Sequence, residues 1–409
     1  MVNVAIMGHG VVGSGVAEIL IKHKELIKQK AQSEINIKYI LDLRDFDVDY
    51  KDKFTKNFED IINDESVQVV AEVMGGTEPA HTYVKRCLEK RKSVVTSNKE
   101  LIAVHGAELI KIARDNNVNL LFEASVGGGI PVIRPMAQCL LANEIDSVTG
   151  ILNGTTNFIL NKMIMENLDF ATALKIAQDK GYAEKNPDAD ILGIDTCRKV
   201  CILASLAFGK HVYPEQVTTC GITKVTLDDI DYADKLNCVI KLIGRSVKLK
   251  NGKITATVYP ALVPKTNILS DVNGVFNAVV IHGDSTGDVM FYGKGAGKAP
   301  TASAVVADMI DCVKHLSARK YLFWDDGNAD YVEKQENVPT KFFVYLTDIQ
   351  DDIFDRISKV FGDDIRFLFN KVAGEFVFIT KTDTEKSLLN EINKLSDKNK
   401  IKSVIHVID

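Results

Sequence analysis

The 409-residue chain lacks a basic excess: 50 lysines and arginines stand against 55 acidic residues, leaving a formal charge of −5. A nucleic-acid binder would carry a positive surplus. No apolar run approaches the ~18 residues of a membrane span. The seven cysteines include no Cys-x-x-Cys pair, and the eight histidines no His-Glu-x-x-His. Neither a disulfide framework nor a transition-metal enzyme is therefore expected. Cys197 and Cys201, four apart in an apolar pattern, read as buried thiols. Residues 1–7 alternate as a strand does and carry no basic stretch, so no secretory leader is read there. These absences point to a cytoplasmic protein with a small-molecule partner, not nucleic acid or membrane.

The length suggests two to three domains. From residue 1 to about 126, short β-branched runs (2–7, 37–41, 69–73, 93–96, 119–123) alternate with helical stretches (11–32, 57–63, 80–90, 106–116). That alternation predicts a doubly wound parallel sheet. Residues 127–321 mix helices (131–141, 157–166, 191–208, 300–316) with strands (147–152, 245–249, 253–258). We expect this α+β domain to hold the substrate and the dimer contact, with helix 300–316 packing back on the first domain. Asn251-Gly252 marks a hairpin turn. Residues 322–339 read as a polar, loose linker. Residues 340–409 show the ferredoxin-like order βαββαβ.

Gly8-His9-Gly10-Val11-Val12-Gly13 follows the first strand and opens a helix. In that setting Gly8 permits the turn, Gly10 leaves room for a pyrophosphate, and Gly13 lets helix and strand approach. The N–H groups of 11–13 and the helix dipole would hold the phosphates, with His9 a turn residue. Asp42, Arg44 and Asp45 end the second strand. An acid there favours NAD, whereas Arg44 with Lys56 would clamp the extra phosphate of NADP. The reading leans to NADP, with NAD open. Gly75-Gly76-Thr77 and Thr96-Ser97-Asn98-Lys99 close two further strands on the ligand edge of the sheet. Lys99 is there a candidate for catalysis or cofactor contact.

The richest segment is 191–208, apolar nearly all round yet carrying Asp195 and Lys199 four apart on one face. A lysine ammonium beside a carbonyl can pass a proton while hydride moves at carbon. Asp195 would orient it. Glu184 and Asp190 upstream would meet a cationic amino group, so the substrate reads as an amino-acid-like alcohol or aldehyde. Asn153-Gly154-Thr155-Thr156-Asn157 suits a carboxylate. The glycine-rich loop 127–129 can aim several carbonyls at one hard cation, or serve as a flexible joint.

These segments, with Gly181-Tyr182-Ala183-Glu184 and Gly293–Thr301, resemble homoserine dehydrogenase in order over residues 1 to about 320. The tail resembles an ACT regulatory domain. The resemblance implies NAD(P)-dependent interconversion of L-homoserine and L-aspartate 4-semialdehyde, in threonine and methionine biosynthesis. It implies Lys199 as proton donor and Lys99 as a contact to substrate and nicotinamide. Glu184, Asp190, Asp195, Gly154, Thr155 and Tyr182 would hold the substrate, and Gly297 would lie beside the nicotinamide. It also implies a sodium-like ion on the carbonyls of Val126, Gly128 and Ile130, with Glu123 nearby, and a homodimer or dimer of dimers. In the tail, Asp348-Ile349-Gln350-Asp351-Asp352 lacks the glycine that lets backbone meet an amino-acid effector, which puts threonine inhibition in doubt.

Two other readings compete. Aspartate-semialdehyde dehydrogenase chemistry needs a nucleophilic cysteine, and Cys139 has no histidine in its sequence neighbourhood. A sensor retaining the fold without turnover would have lost the acid–base set, which is present.

Overall fold

The computed structural model describes residues 1–318, 322, 324–349, 353–362, 365–368, 374–395 and 400–408. The chain divides into two compact units that each draw on separate stretches. The first comprises Met1–Val148, Cys201–Pro214 and Val279–Asn328; the second Thr149–Val200, Glu215–Ala278 and Ala329–Asp409.

The first unit holds a six-stranded sheet, ordered Phe54–Thr55, Ile35–Leu41, Val2–Met7, Val67–Glu72, Ser93–Thr96, Leu120–Leu121. Every pairing is parallel. The strands are near-continuous Val/Ile runs because helices cover both faces. Strand order reverses beside Val2–Met7, so the crevice at that strand's carboxyl end is where a nucleotide belongs. The helix Val11–Lys22 leaves from there, and Lys298–Lys314 packs directly on it. A Cβ added to Gly15 would lie 2.9 Å from the Ala302 Cβ, so only glycine permits this approach. Val4, Ile6, Val16, Leu20, Val305 and Met309 share the resulting core.

Several boundaries differ from the sequence reading. The expected helix 11–32 is two helices, Val11–Lys22 and Lys24–Ala31, broken at His23. The bend keeps Ile27 and Ala31 buried. The fourth helix of this zone starts at Lys99, not 106, because the Asn98 side chain accepts from the Leu101 N–H and caps it. The expected helix 131–141 shrinks to Ile133–Gln138.

In the second unit, Cys238–Lys248 and Ile254–Pro264 form an antiparallel hairpin, turned at Gly252 with φ +80°. Lys400–Val407 joins parallel to the second of these strands, and Phe342–Thr347, Glu375–Ile379 and Arg366–Leu368 follow antiparallel. Helices Ile353–Phe361 and Glu385–Leu395 bury Ile357, Phe361, Leu388 and Ile392 against this sheet. The longer elements of the tail thus run β, α, β, β, α, β, with the two-residue strands Pro339–Thr340 and Asp383–Thr384 paired beside them, and the last strand continues the hairpin's sheet.

The segment read as a loose linker is tied down at Asp325 and at Tyr331–Glu333. In the first unit the His211 N–H donates to the Asp325 carbonyl at 2.8 Å. In the second, Tyr331 and Val332 are buried, and main-chain bonds join Tyr331 and Glu333 to Ile254. Apolar residues inside a polar stretch fasten it.

Candidate active site

The glycine loop of the first unit divides its labour as the spacing predicts. Gly8 has φ +99°, a left-handed turn. A Cβ on Gly13 would sit 2.0 Å from the Gly8 carbonyl oxygen, so Gly13 permits contact between turn and helix. A Cβ on Gly10 would meet nothing within 4 Å. Gly10 also caps Val11–Lys22 without a side-chain bond, and Val11 is exposed. A helix N-terminus with open space above it and no side-chain cap fits a pyrophosphate.

Asp42 stands beside that loop. One of its oxygens accepts from the His9 N–H at 2.8 Å, and the Arg44 guanidinium grips both oxygens at 3.0 and 2.9 Å. Arg44 holds the Asp42 carboxyl far below the usual carboxylate range. Arg44 remains exposed and lies over the Phe46 ring, while Lys56 pairs with Asp45 at 2.8 Å. His9 is more than a turn residue. It is buried among Phe46, Tyr50 and Phe54, and burial lowers its pKa.

Gly75 and Gly76 are both left-handed, with φ +84° and +72°. The Thr77 carbonyl accepts from His81 at the start of the next helix. Beneath this loop lies Glu72, wholly buried, which the sequence reading missed. Its carboxylate accepts from the Met74 N–H at 2.8 Å and the Thr96 hydroxyl at 2.6 Å. Its carbonyl accepts from Ser97, and Lys99 follows, half-buried, as the first residue of its helix. A lone acid ending the run Val67–Glu72 was the available signal.

The second unit gathers most of the proposed substrate residues. The expected helix 191–208 is broken at Gly193, φ +84°, into Asp188–Ile191 and Ile194–Phe208. That break lets Asp190 and Asp195 face one partner. The Asn153 side-chain nitrogen donates to Asp190 at 2.6 Å and to Asp195 at 2.9 Å. Asp195 also accepts from Lys199 Nζ at 2.8 Å, and Lys199 donates to the Leu152 carbonyl at 2.6 Å. Lys199 and Asp195 are both buried. Asn153, in the sequence one residue of a polar turn, organises the group. Its oxygen caps Gly154–Glu166 by accepting from the Thr156 N–H at 2.8 Å.

Thr155 donates to the Tyr182 carbonyl at 2.7 Å, joining the glycine-containing turn to the 181–184 loop. The Tyr182 ring packs edge-on against Phe158. Gly154 must be glycine, since a Cβ would lie 2.7 Å from the Val275 carbonyl. Glu184 sits on the same loop with its side chain exposed, and its carbonyl accepts from Gln178.

In the loop at 123–131, Glu123 is committed to the main chain. Its carboxylate accepts from the N–H groups of Val132, Ile133 and Arg134 at 2.7–2.8 Å, capping the helix Ile133–Gln138. A cation here would therefore rest on main-chain oxygens. Only glycine fits at two points of the loop: Cβ atoms on Gly127 and Gly128 would lie 2.5 and 2.3 Å from the Ile130 and Gly295 oxygens. Asp308, fully buried, accepts from the Glu123 N–H and pairs with Arg134. Burial and the nearby Glu123 push its pKa up to about 7. Gly297, φ +121°, begins the helix that carries Asp308.

Comparison with known proteins names the chemistry. A family model described as homoserine dehydrogenase matches residues 131–310, and one described as its NAD-binding domain matches residues 8–123. The homoserine dehydrogenase of Bacillus subtilis is 36% identical over 99% of this chain and 98% of its own. That of Helicobacter pylori is 37% identical over 97% and 95%. A crystal structure of a homoserine dehydrogenase from Thiobacillus denitrificans superposes with a TM-score of 0.91, at 33% identity, over 100% of this chain and 98% of that one. A hyperthermophilic archaeal homoserine dehydrogenase mutant in complex with NADPH gives 0.66, at 30% identity, over 76% of this chain and 97% of that one.

Proposed function

The chain belongs to the homoserine dehydrogenase family, NAD(P)-dependent oxidoreductases, and on that premise we propose how its residues divide the reaction. The reaction reduces L-aspartate 4-semialdehyde to L-homoserine and runs in both directions. When bound, NADPH or NADH supplies the hydride that adds to the aldehyde carbon. Lys199 gives a proton to the aldehyde oxygen as that bond forms, and takes it back in the oxidation. The observation that carries this assignment is the Lys199 ammonium, buried and held at 2.8 Å by Asp195 and 2.6 Å by a carbonyl. Both partners are acceptors, so they take up N–H groups of the amine and hold it in one place.

Asp190, Asp195 and Glu184 receive the substrate's amino group. Gly154, Thr155 and Tyr182 shape the turn that takes its carboxylate. Gly8, Gly10, Val11, Val12 and Gly13 hold the pyrophosphate. Gly75, Gly76, Thr77, Ser97, Lys99 and Gly297 line the rest of the cofactor, and Arg44 takes the 2′-phosphate of NADP. Lys99 assists catalysis from the start of its helix. A sodium-like ion rests on the carbonyls of Val126, Gly128 and Ile130, beside Glu123.

The domains are proposed as 1–126 for the cofactor, 127–321 for substrate and dimer contact, and 340–409 as an ACT-like regulatory tail. Support for the tail comes from its element order. The Asp348 loop continues into residues 350–352, which lie outside those described. The tail is proposed to take an amino-acid effector, with threonine disfavoured by the lack of glycine there. The enzyme is proposed to work in the cytoplasm as a homodimer or dimer of dimers. Homoserine oxidation with NAD+ and NADP+, each with and without added sodium and threonine, tests these assignments together. Turnover that is blind to sodium removes the cation, and strong threonine inhibition overturns the reading of the tail.

A further inference from the structure

Glu72 ends the strand Val67–Glu72 in the middle of the parallel sheet, with Met7 beside it on one strand and Thr96 on the other. An apolar residue would serve the sheet alone, and an unpaired buried carboxylate costs several kcal/mol. The groups it meets are all donors. The Met74 and Gly75 N–H groups reach one oxygen at 2.8 and 3.4 Å. Successive N–H groups on one anion form a nest, and the left-handed Gly75 and Gly76 close it. The Thr96 hydroxyl reaches the other oxygen at 2.6 Å. That hydroxyl is polarised in one direction, because its oxygen accepts from the Asn98 N–H at 2.9 Å. Asn98 then donates to the Gly76 carbonyl at 2.6 Å and caps the helix that begins with Lys99.

We propose that Glu72 is a positioning residue for hydride transfer, clamping the 74–76 loop to the 96–98 turn and so fixing where Lys99 starts its helix. The clamp is a closed ring: Glu72 to Thr96, Thr96 to Asn98, Asn98 to Gly76, and back through Met74. Removing the Thr96 or Glu72 link leaves the Asn98–Gly76 bond to join the two loops and so loosens their register. Glu72 touches neither substrate nor cofactor in this scheme and acts through Lys99, so the inference rests on the catalytic reading of Lys99 given above.

The test is a double-mutant cycle on the full-length enzyme, reading kcat, homoserine KM and melting temperature. Thr96→Val keeps the shape and removes the hydroxyl, whereas Thr96→Ser keeps it. A shift of about 1 Å at a reacting group can change rate by ~10²-fold, so a loosened clamp is expected to lower kcat roughly 10-fold. Thr96→Val should do so with homoserine KM within about 3-fold, and Thr96→Ser should restore kcat to within about 2-fold. Glu72→Gln, whose oxygen can keep the Met74 N–H while its NH2 faces the Thr96 hydroxyl donor and breaks that link, should resemble Thr96→Val. In a Lys99→Ala background, Thr96→Val should change kcat less than about 2-fold, since the group it positions is gone. Additive losses would overturn the inference while leaving Lys99 catalytic. A Lys99→Ala enzyme with unchanged kcat would instead overturn the reading of Lys99, and the inference with it. Should Glu72→Gln fail to fold, the threonine pair decides alone.

Discussion

Lys199 Nζ lies 2.8 Å from Asp195 Oδ2, one helical turn away, with both side chains under a tenth exposed. Each therefore depends on the other for its charge. Removing one partner of such a pair strands the other in a poor solvent, at about 3–5 kcal/mol. Asp195→Ala should lower stability by that order in urea denaturation, and Lys199→Met in the same chain should recover most of it. A single variant costing under about 1 kcal/mol would show that the pair is solvated.

Asn153 separates capping from charge organisation. Its oxygen caps a helix and its nitrogen bridges Asp190 and Asp195. Serine keeps the cap, so Asn153→Ser should cost no more than about 1 kcal/mol. Without the bridging donor the two carboxylates repel, and homoserine KM should rise at least several-fold. Unchanged kinetics would remove Asn153 from the substrate group.

In the proposed reading cofactor preference turns on Arg44, which is folded onto Asp42. A 2′-phosphate competes for that guanidinium, whereas NAD needs only Asp42. A charge-assisted bond of about 1.5–3 kcal/mol corresponds to roughly 10–100-fold. Arg44→Ala should lower kcat/KM for NADP+ by that factor and leave NAD+ within about 3-fold. Equal losses with both cofactors would contradict the assignment.

Asp308 predicts a pH dependence of stability. Burial and Glu123 push its pKa up to about 7, above the unfolded value of 3.8. Between those two values the unfolded chain has released a proton that the folded chain retains, so stability falls as pH rises from about 4 to 7. Above 7 this contribution is flat. Asp308→Asn keeps an acceptor for the Glu123 N–H and removes the titration. Relative to the parent, it should gain stability progressively from pH 4 to 7, as read from urea midpoints. A difference independent of pH would show that Asp308 ionises normally.

Much of this was legible in residue order. The glycine loop, the parallel strands and the Asp195–Lys199 spacing come from local patterns, and local patterns are what sequence displays. The breaks at His23 and Gly193 were not legible. A helix-period pattern continues across them, and only packing decides that Ile27 stays buried or that Asp190 turns toward Asn153. Glu72 and the Glu123–Asp308 contact were missed for a related reason. The first depends on a strand pairing and the second joins residues 185 apart in the chain. The longer elements of the tail follow the order expected from the sequence, while its two-residue strands Pro339–Thr340 and Asp383–Thr384, and the buried Tyr331 and Val332 of the connector, were hidden among polar neighbours.

The most direct measurement is single-turnover hydride transfer in Lys199→Ala, with NADPH affinity measured by fluorescence on the same preparation. The account predicts a rate lower by ~10²–10⁴-fold, the usual worth of a positioned proton donor, with the dissociation constant for NADPH within about 2-fold of the parent. A rate close to that of the parent, or a loss explained by weakened NADPH binding, would contradict it.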